Sequence, residues 1–116
     1  MLPSTFRLKK KKDFERVFNL GHASGGEFFI LKQAQNNLSF TRFGFIVSAK
    51  VSAKAVNRNK LRRQVNEIVR LNLKRIKIGF DVVIIFKRLA QGKESLKLEK
   101  DLVSLFIKNK LYLRDG

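Results

Sequence analysis

Residues 47–77, VSAKVSAKAVNRNKLRRQVNEIVRLNLKRIK, carry apolar side chains at helical spacing through the most basic stretch of the chain. At ~100° per residue, Leu61, Val65, Ile68, Val69 and Ile76 share one stripe, which predicts a long amphipathic helix over residues 55–76. The same segment holds ten Lys/Arg against one acid, Glu67. Cationic charge carried on a folded helix, rather than on a floppy tail, implies a rigid polyanion as partner.

The elements around this helix follow from periodicity and breakers. Residues 13–20 (DFERVFNL) place Phe14, Val17 and Phe18 at helical spacing, with Gly21 as the stop. The preceding KKKK, residues 9–12, is expected just outside that helix start, where the dipole does not favour cations. Those lysines therefore serve another purpose. Gly25 and Gly26 break the chain, and residues 27–33 and 39–48 read as strands joined by the turn-rich Gln35-Asn36-Asn37. The second strand alternates Phe40, Arg42 and Gly44 with Thr41, Phe43 and Phe45, so one face can be packed and the other presented. Residues 80–87 (FDVVIIFK) are nearly all apolar, as an interior strand requires. A turn at Gln91-Gly92 leads to a closing amphipathic helix over residues 95–110, with Leu98, Leu102, Leu105 and Phe106 inward. The order α-β-β-α-β-α predicts one α+β sandwich, a single domain over residues 1–116.

Charge narrows the function. The chain carries a formal +17, yet 44% hydrophobic content and eleven Phe argue against disorder. Self-repulsion at this level disfavours the compact state unless a polyanion lies alongside. Phosphate is the first candidate, because its neutralisation releases condensed counterions. Residues 1–78 hold 18 Lys/Arg and 4 Asp/Glu, whereas residues 79–116 hold 8 and 5, so the binding surface is expected in the first two-thirds. An anionic membrane is the weaker alternative, since no apolar run approaches the ~18 residues that span a bilayer. The absence of cysteine excludes disulfides, thiolate zinc sites and catalytic thiols, and fits a reducing cytosol. MLPSTFRLKKKKDF lacks the apolar stretch of a secretory signal, so cytoplasmic residence is expected.

Protein-based catalysis has no candidates. One histidine, His22, without cysteines cannot build a histidine-rich or thiolate metal site, and it is expected in a loop beside Gly21. The nine acids are scattered, and Asp13 and Glu15 do not share a helix face. Any nuclease activity must then come from elsewhere. Binding has better candidates. Phe14 and Phe18, four apart and directly behind the lysine run, suit stacking of unpaired bases, while most other Phe are expected in the core. Asn59, Arg62, Arg63, Asn66 and Arg70 fall on one flank of the long helix. Arg offers a planar fork for phosphate and Asn offers amide donors, whereas a merely solvated helix alternates charge signs.

Arg58-Asn59-Lys60-Leu61-Arg62-Arg63 resembles the RNR motif, R-N-R-x-K-R, of the bacterial ribonuclease P protein subunit. Leu2-Pro3 with Arg7-Leu8, then Asp13-Phe14, Val17-Phe18 and Gly21, resembles that family's N-terminus in order and spacing. Val47-Ser48-Ala49-Lys50 and Ala55-Val56 complete the resemblance, which covers residues 2–88. It implies an α-β-β-α-β-α sandwich of the ribosomal-protein-S5-domain-2-like fold, with a left-handed crossover against the usual rule. It also implies a partner, the catalytic ribonuclease P RNA, and a substrate, precursor tRNA, whose 5′ leader is removed with Mg²⁺ held mainly by the RNA. Position by position, the resemblance assigns Arg58, Asn59, Lys60, Arg62, Arg63 and Lys50 to the catalytic RNA, and Phe14, Phe18 and Arg7 to the leader cleft. Lys60 departs from the motif's Arg, keeping charge but losing the bidentate fork, and Asn66 stands where the family often has another Arg. Three rivals share the charge: a structural ribosome-associated protein, a DNA-binding regulator and an autonomous nuclease. The DNA reading lacks a short helix and turn before residue 55, where a strand is expected instead.

Overall fold

The computed structural model describes residues 2–113. The elements are α1 (Lys11–Leu20), β1 (His22–Gly25), β2 (Phe29–Gln35), β3 (Arg42–Ile46), α2 (Ala55–Asn72), β4 (Phe80–Phe86) and α3 (Ser95–Lys108). Short 3-10 turns occupy Ser4–Phe6, Leu73–Arg75 and Arg88–Ala90. The strands form one sheet in the order β1-β2-β4-β3. β4 pairs antiparallel with β2 and parallel with β3, so α2 is a crossover between parallel neighbours.

The composition of β4 follows from its place. Val82, Ile84 and Phe86 enter the larger core, while Val83 and Ile85 face the opposite side with Leu8 and Val17. A strand covered on both faces needs an apolar residue at almost every position. The layers are therefore α1 on one face and α2 with α3 on the other. Leu61, Val65, Ile68 and Val69 of α2 are buried in one cluster with Leu98, Leu102, Leu105 and Phe106 of α3. Each such side chain contributes roughly 1.5–3 kcal/mol on burial. Among the described residues no helix is long and apolar enough to cross a membrane.

Several expectations need correction. The chain inserts a strand, β1, that periodicity does not show, and His22 lies in it opposite Gln33 rather than in a loop. α1 begins at Lys11 with Lys10 as its N-cap, so Lys11 and Lys12 sit inside the first turn, where Asp13 offsets them. β2 starts at Phe29, because the backbone N–H groups of Glu27 and Phe28 donate to the Asp101 carboxylate at 3.0 and 2.9 Å. β3 starts at Arg42 because Asn36 organises a longer turn: its Oδ1 accepts from the Leu38 N–H at 2.8 Å, and its Nδ2 donates to the Phe40 carbonyl at 3.1 Å. α2 ends at Asn72, whose amide donates to the Ile68 carbonyl and Glu99 Oε2, both at 2.8 Å. Ile76 is still buried, by bridging to Tyr112 beyond α3.

Gly21 stops α1 for a steric reason. A Cβ there would lie 2.3 Å from the Val17 carbonyl oxygen and 2.8 Å from that of Gln33. Its backbone is not left-handed, so close approach to β2, rather than conformational freedom, demands glycine.

Candidate nucleic-acid interface

β3 lies at the sheet edge beside the N-terminal segment. The Leu8 N–H donates to the Phe43 carbonyl at 2.8 Å, and Arg7 bridges Phe43. Between that segment and α2 runs a groove of about 460 Å³. Arg7 and Lys9 line it from one side, and Asn59, Arg62, Arg63 and Asn66 from the other. Leu8, Phe14, Phe43, Gly44 and Phe45 give it an apolar lining. Four cations and no carboxylate face this space. Three separate blocks of sequence therefore converge on one concave, cationic and partly aromatic surface.

Gly44 sets the depth of that surface. A Cβ on it would meet Cε1 and Cζ of Phe14 at 2.5 Å, so the ring lies directly on the β3 backbone. Glycine inside a strand pattern is the signal of such an approach, a meaning beyond the place of Gly44 in the β3 alternation. Of the eleven Phe, five are buried and five half-buried; Phe18, 39% exposed, is the one left open. The expected Phe14/Phe18 pair therefore divides. Phe14 lines the groove, whereas Phe18 lies outside it with Lys32 Nζ 4.8 Å from its ring centroid.

The helix flank divides as well. Arg62 Nη1 donates to Asn59 Oδ1 at 2.7 Å, which orders the guanidinium at the groove. Arg70 instead holds Glu67, and that contact keeps the Glu67 carboxyl below its ordinary range and raises the Arg70 guanidinium. Arg58 turns back to donate Nη1 to the carbonyls of Ser52 and Ala53 at 2.8 and 3.0 Å. It thereby fastens the loop before α2, which has no side-chain N-cap. Lys60 faces away from the groove into a hollow with Gln64, Gly92 and Lys93. Lys50 is exposed on the loop after β3, where its carbonyl accepts from Arg88 Nε at 3.2 Å.

Asn66 is anomalous. It is 7% exposed, and its Oδ1 is buried with no hydrogen-bond partner among the described residues. An unsatisfied buried acceptor costs about 1–3 kcal/mol.

Chemically this surface can bind anions and stack rings. Among the described residues no three His, Cys, Asp or Glu approach closely enough to hold a metal ion, so the donor set does not fit a protein-held Mg²⁺. Asp13 and Asp81 pair with arginines, and Asp101 accepts backbone N–H groups. That leaves those carboxylates placed for structure rather than proton transfer.

Comparison with known proteins agrees with the geometry. The family model described as Ribonuclease P matches residues 2–110. The ribonuclease P protein component of Fusobacterium nucleatum subsp. nucleatum is 37% identical over 108 residues, covering 90% of this chain and 96% of the relative. That of Pseudanabaena is 35% identical over 112 residues, covering 96% and 97%. Among solved structures, a Staphylococcus aureus RNase P protein mutant with defective mRNA degradation activity superposes with a TM-score of 0.86 at 27% identity, covering 93% of this chain and 91% of that one. The Thermotoga maritima RNase P protein gives 0.80 at 31% identity, covering 95% and 98%. A groove built from the motif helix, the N-terminal segment and the β3 edge, in a chain matched by the family model over residues 2–110, places this protein in the ribonuclease P protein family.

Proposed function

We propose that this chain binds a large catalytic RNA through the groove and the adjoining face of α2, and the single-stranded 5′ leader of precursor tRNA through Phe14 and Phe18. The RNA performs the hydrolysis, with Mg²⁺ held by the RNA partners. The observation that carries this reading is the groove itself: four cations and an aromatic ring converge there with no carboxylate among them. Arg62 and Arg63 supply planar forks for phosphate, and the open ring of Phe18 offers a stacking surface beside Lys32. The protein's part is electrostatic and positional. A formal +17 screens repulsion between two RNAs and lowers the Mg²⁺ they need to associate.

The test is cleavage of a 5′-extended precursor tRNA at low Mg²⁺ by the cognate ribonuclease P RNA, with and without this protein. Cleavage at the mature 5′ end that depends on the protein, and is absent with protein alone, is the expected result. No stimulation by a folded preparation would overturn the reading.

A further inference from the structure

We propose that Asn66 reads a base: the groove takes one unpaired nucleotide of the RNA partner, and the Asn66 amide pairs with the edge of that base, adenine in preference. The inference rests on the RNA-binding reading above and adds to it which RNA element the groove accepts.

Three observations carry it. First, the unsatisfied Oδ1 of Asn66 stands out against the other buried polar residues. Thr41 donates to the Lys77 carbonyl, Asn72 bonds Ile68 and Glu99, and Asp81 accepts from Arg42. A fold that satisfies those three has left this one open. Second, Asn66 shares a helix face with Asn59, Arg62 and Arg63 and lines the same groove, whose remaining surface includes Phe14, Phe43 and Phe45. Phe43 is sealed in the core, so a base would lie against the half-buried ring of Phe14 or Phe45 while its phosphate meets Arg or Lys from either wall. Third, Asn59, the other amide of the groove, is exposed and already accepts from Arg62. Asn66 is thus the deep polar group with capacity left for a ligand.

Turning the amide about χ2 brings its oxygen toward the groove without disturbing the backbone. It then offers an acceptor beside a donor. Adenine presents the complementary pair on both its Watson–Crick and Hoogsteen edges, with N6 donating and N1 or N7 accepting. Guanine carries only acceptors on its Hoogsteen edge, so it, like the pyrimidines, presents such a pair on its Watson–Crick edge alone. A stacked base in a fixed groove therefore finds its match most readily when it is adenine.

The test uses heptauridylate and the same oligomer with one central adenine, bound to the full chain and followed by fluorescence anisotropy at fixed salt. The wild-type protein should bind the adenine-bearing oligomer about tenfold more tightly. Asn66→Leu, similar in volume but without an amide, should bring the two oligomers to within about twofold while leaving the salt dependence unchanged. It should also raise the thermal midpoint, because the unpaired acceptor is gone. Asn66→Ala gives the same loss of preference by a smaller side chain, should Leu disturb the packing. Adenine preference that persists in both variants would assign it to stacking and overturn the proposal, as would a wild-type protein without preference. Binding of ribonuclease P RNA, measured alongside, separates the two readings. Its absence in the wild type defeats the RNA-binding reading, whereas its presence without adenine preference defeats only the role of Asn66.

Discussion

Arg42 grips Asp81 side-on, Nε to Oδ1 at 2.8 Å and Nη2 to Oδ2 at 2.7 Å, between residues that face each other across the parallel β3–β4 pair. Asp81 is fully buried and also receives Arg16 from α1 and the Asn36 amide. The bond to Asp81 raises the Arg42 guanidinium against the opposing effect of burial. One carboxylate therefore ties α1, the β2–β3 turn and two strands together. It fixes where α1 presents Phe14. Asp81→Asn keeps the volume but strands two arginines, and should cost about 3–5 kcal/mol in urea denaturation. A loss below about 1 kcal/mol would show that packing, not this charge, seats α1.

Gly44→Ala tests how α1 shapes the groove. The new methyl would meet the far end of the Phe14 side chain, which can swing aside, so the stability cost should stay within ~1–3 kcal/mol. The displaced ring should weaken RNA binding about as much as Phe14→Ala does. The double variant should then be little worse than either single one, because both remove the same contact. Additive losses in binding would separate the two residues.

What could be read from the chain, and what could not, divides along physical lines. The stripe Leu61, Val65, Ile68 and Val69 and the apolar run of β4 were legible because burial on one or two faces imprints a period. β1, with the sequence HASG, has no period to read; it is a short edge strand held by pairing with β2. Asp81 reads as a lone polar residue in an apolar strand until the fold brings Arg16 across from 65 positions away. The site followed the same rule. The flank Asn59, Arg62, Arg63 and Asn66 was legible as one face, and the structure places all four at one groove. That Arg58 and Lys60 point elsewhere depends on the loop before α2 and the turn at residues 91–93, which helical periodicity does not describe.

Arg62→Ala and Arg63→Ala should each weaken binding to ribonuclease P RNA, and each should lower the slope of log K against log salt by about one. Lys60→Ala removes the same charge from a different face. It should therefore leave the adenine preference of the groove unchanged, even if overall affinity falls. A Lys60→Ala protein that loses that preference would show that charge alone, not position, governs the groove.

Arg70 sits on the motif helix but is held by Glu67 one turn earlier, and both groups are exposed. The hydrogen bond from Arg70 is the largest cause of the lowered Glu67 pKa. A depressed carboxyl stabilises the folded state above its ordinary value near 4.5, and that contribution is lost as pH falls through the lowered value. Exposure to solvent keeps the stability effect small. The effect on binding should be larger, because Glu67 is the one acid on a helix otherwise rich in cations. Glu67→Gln removes that negative charge and frees the Arg70 fork for phosphate. RNA affinity should rise, and the salt slope should steepen by about one. In the wild type the same gain should emerge only below pH 4.5, as Glu67 protonates, and should vanish in Glu67→Gln. Unchanged affinity in Glu67→Gln at neutral pH would place Arg70 outside the RNA footprint.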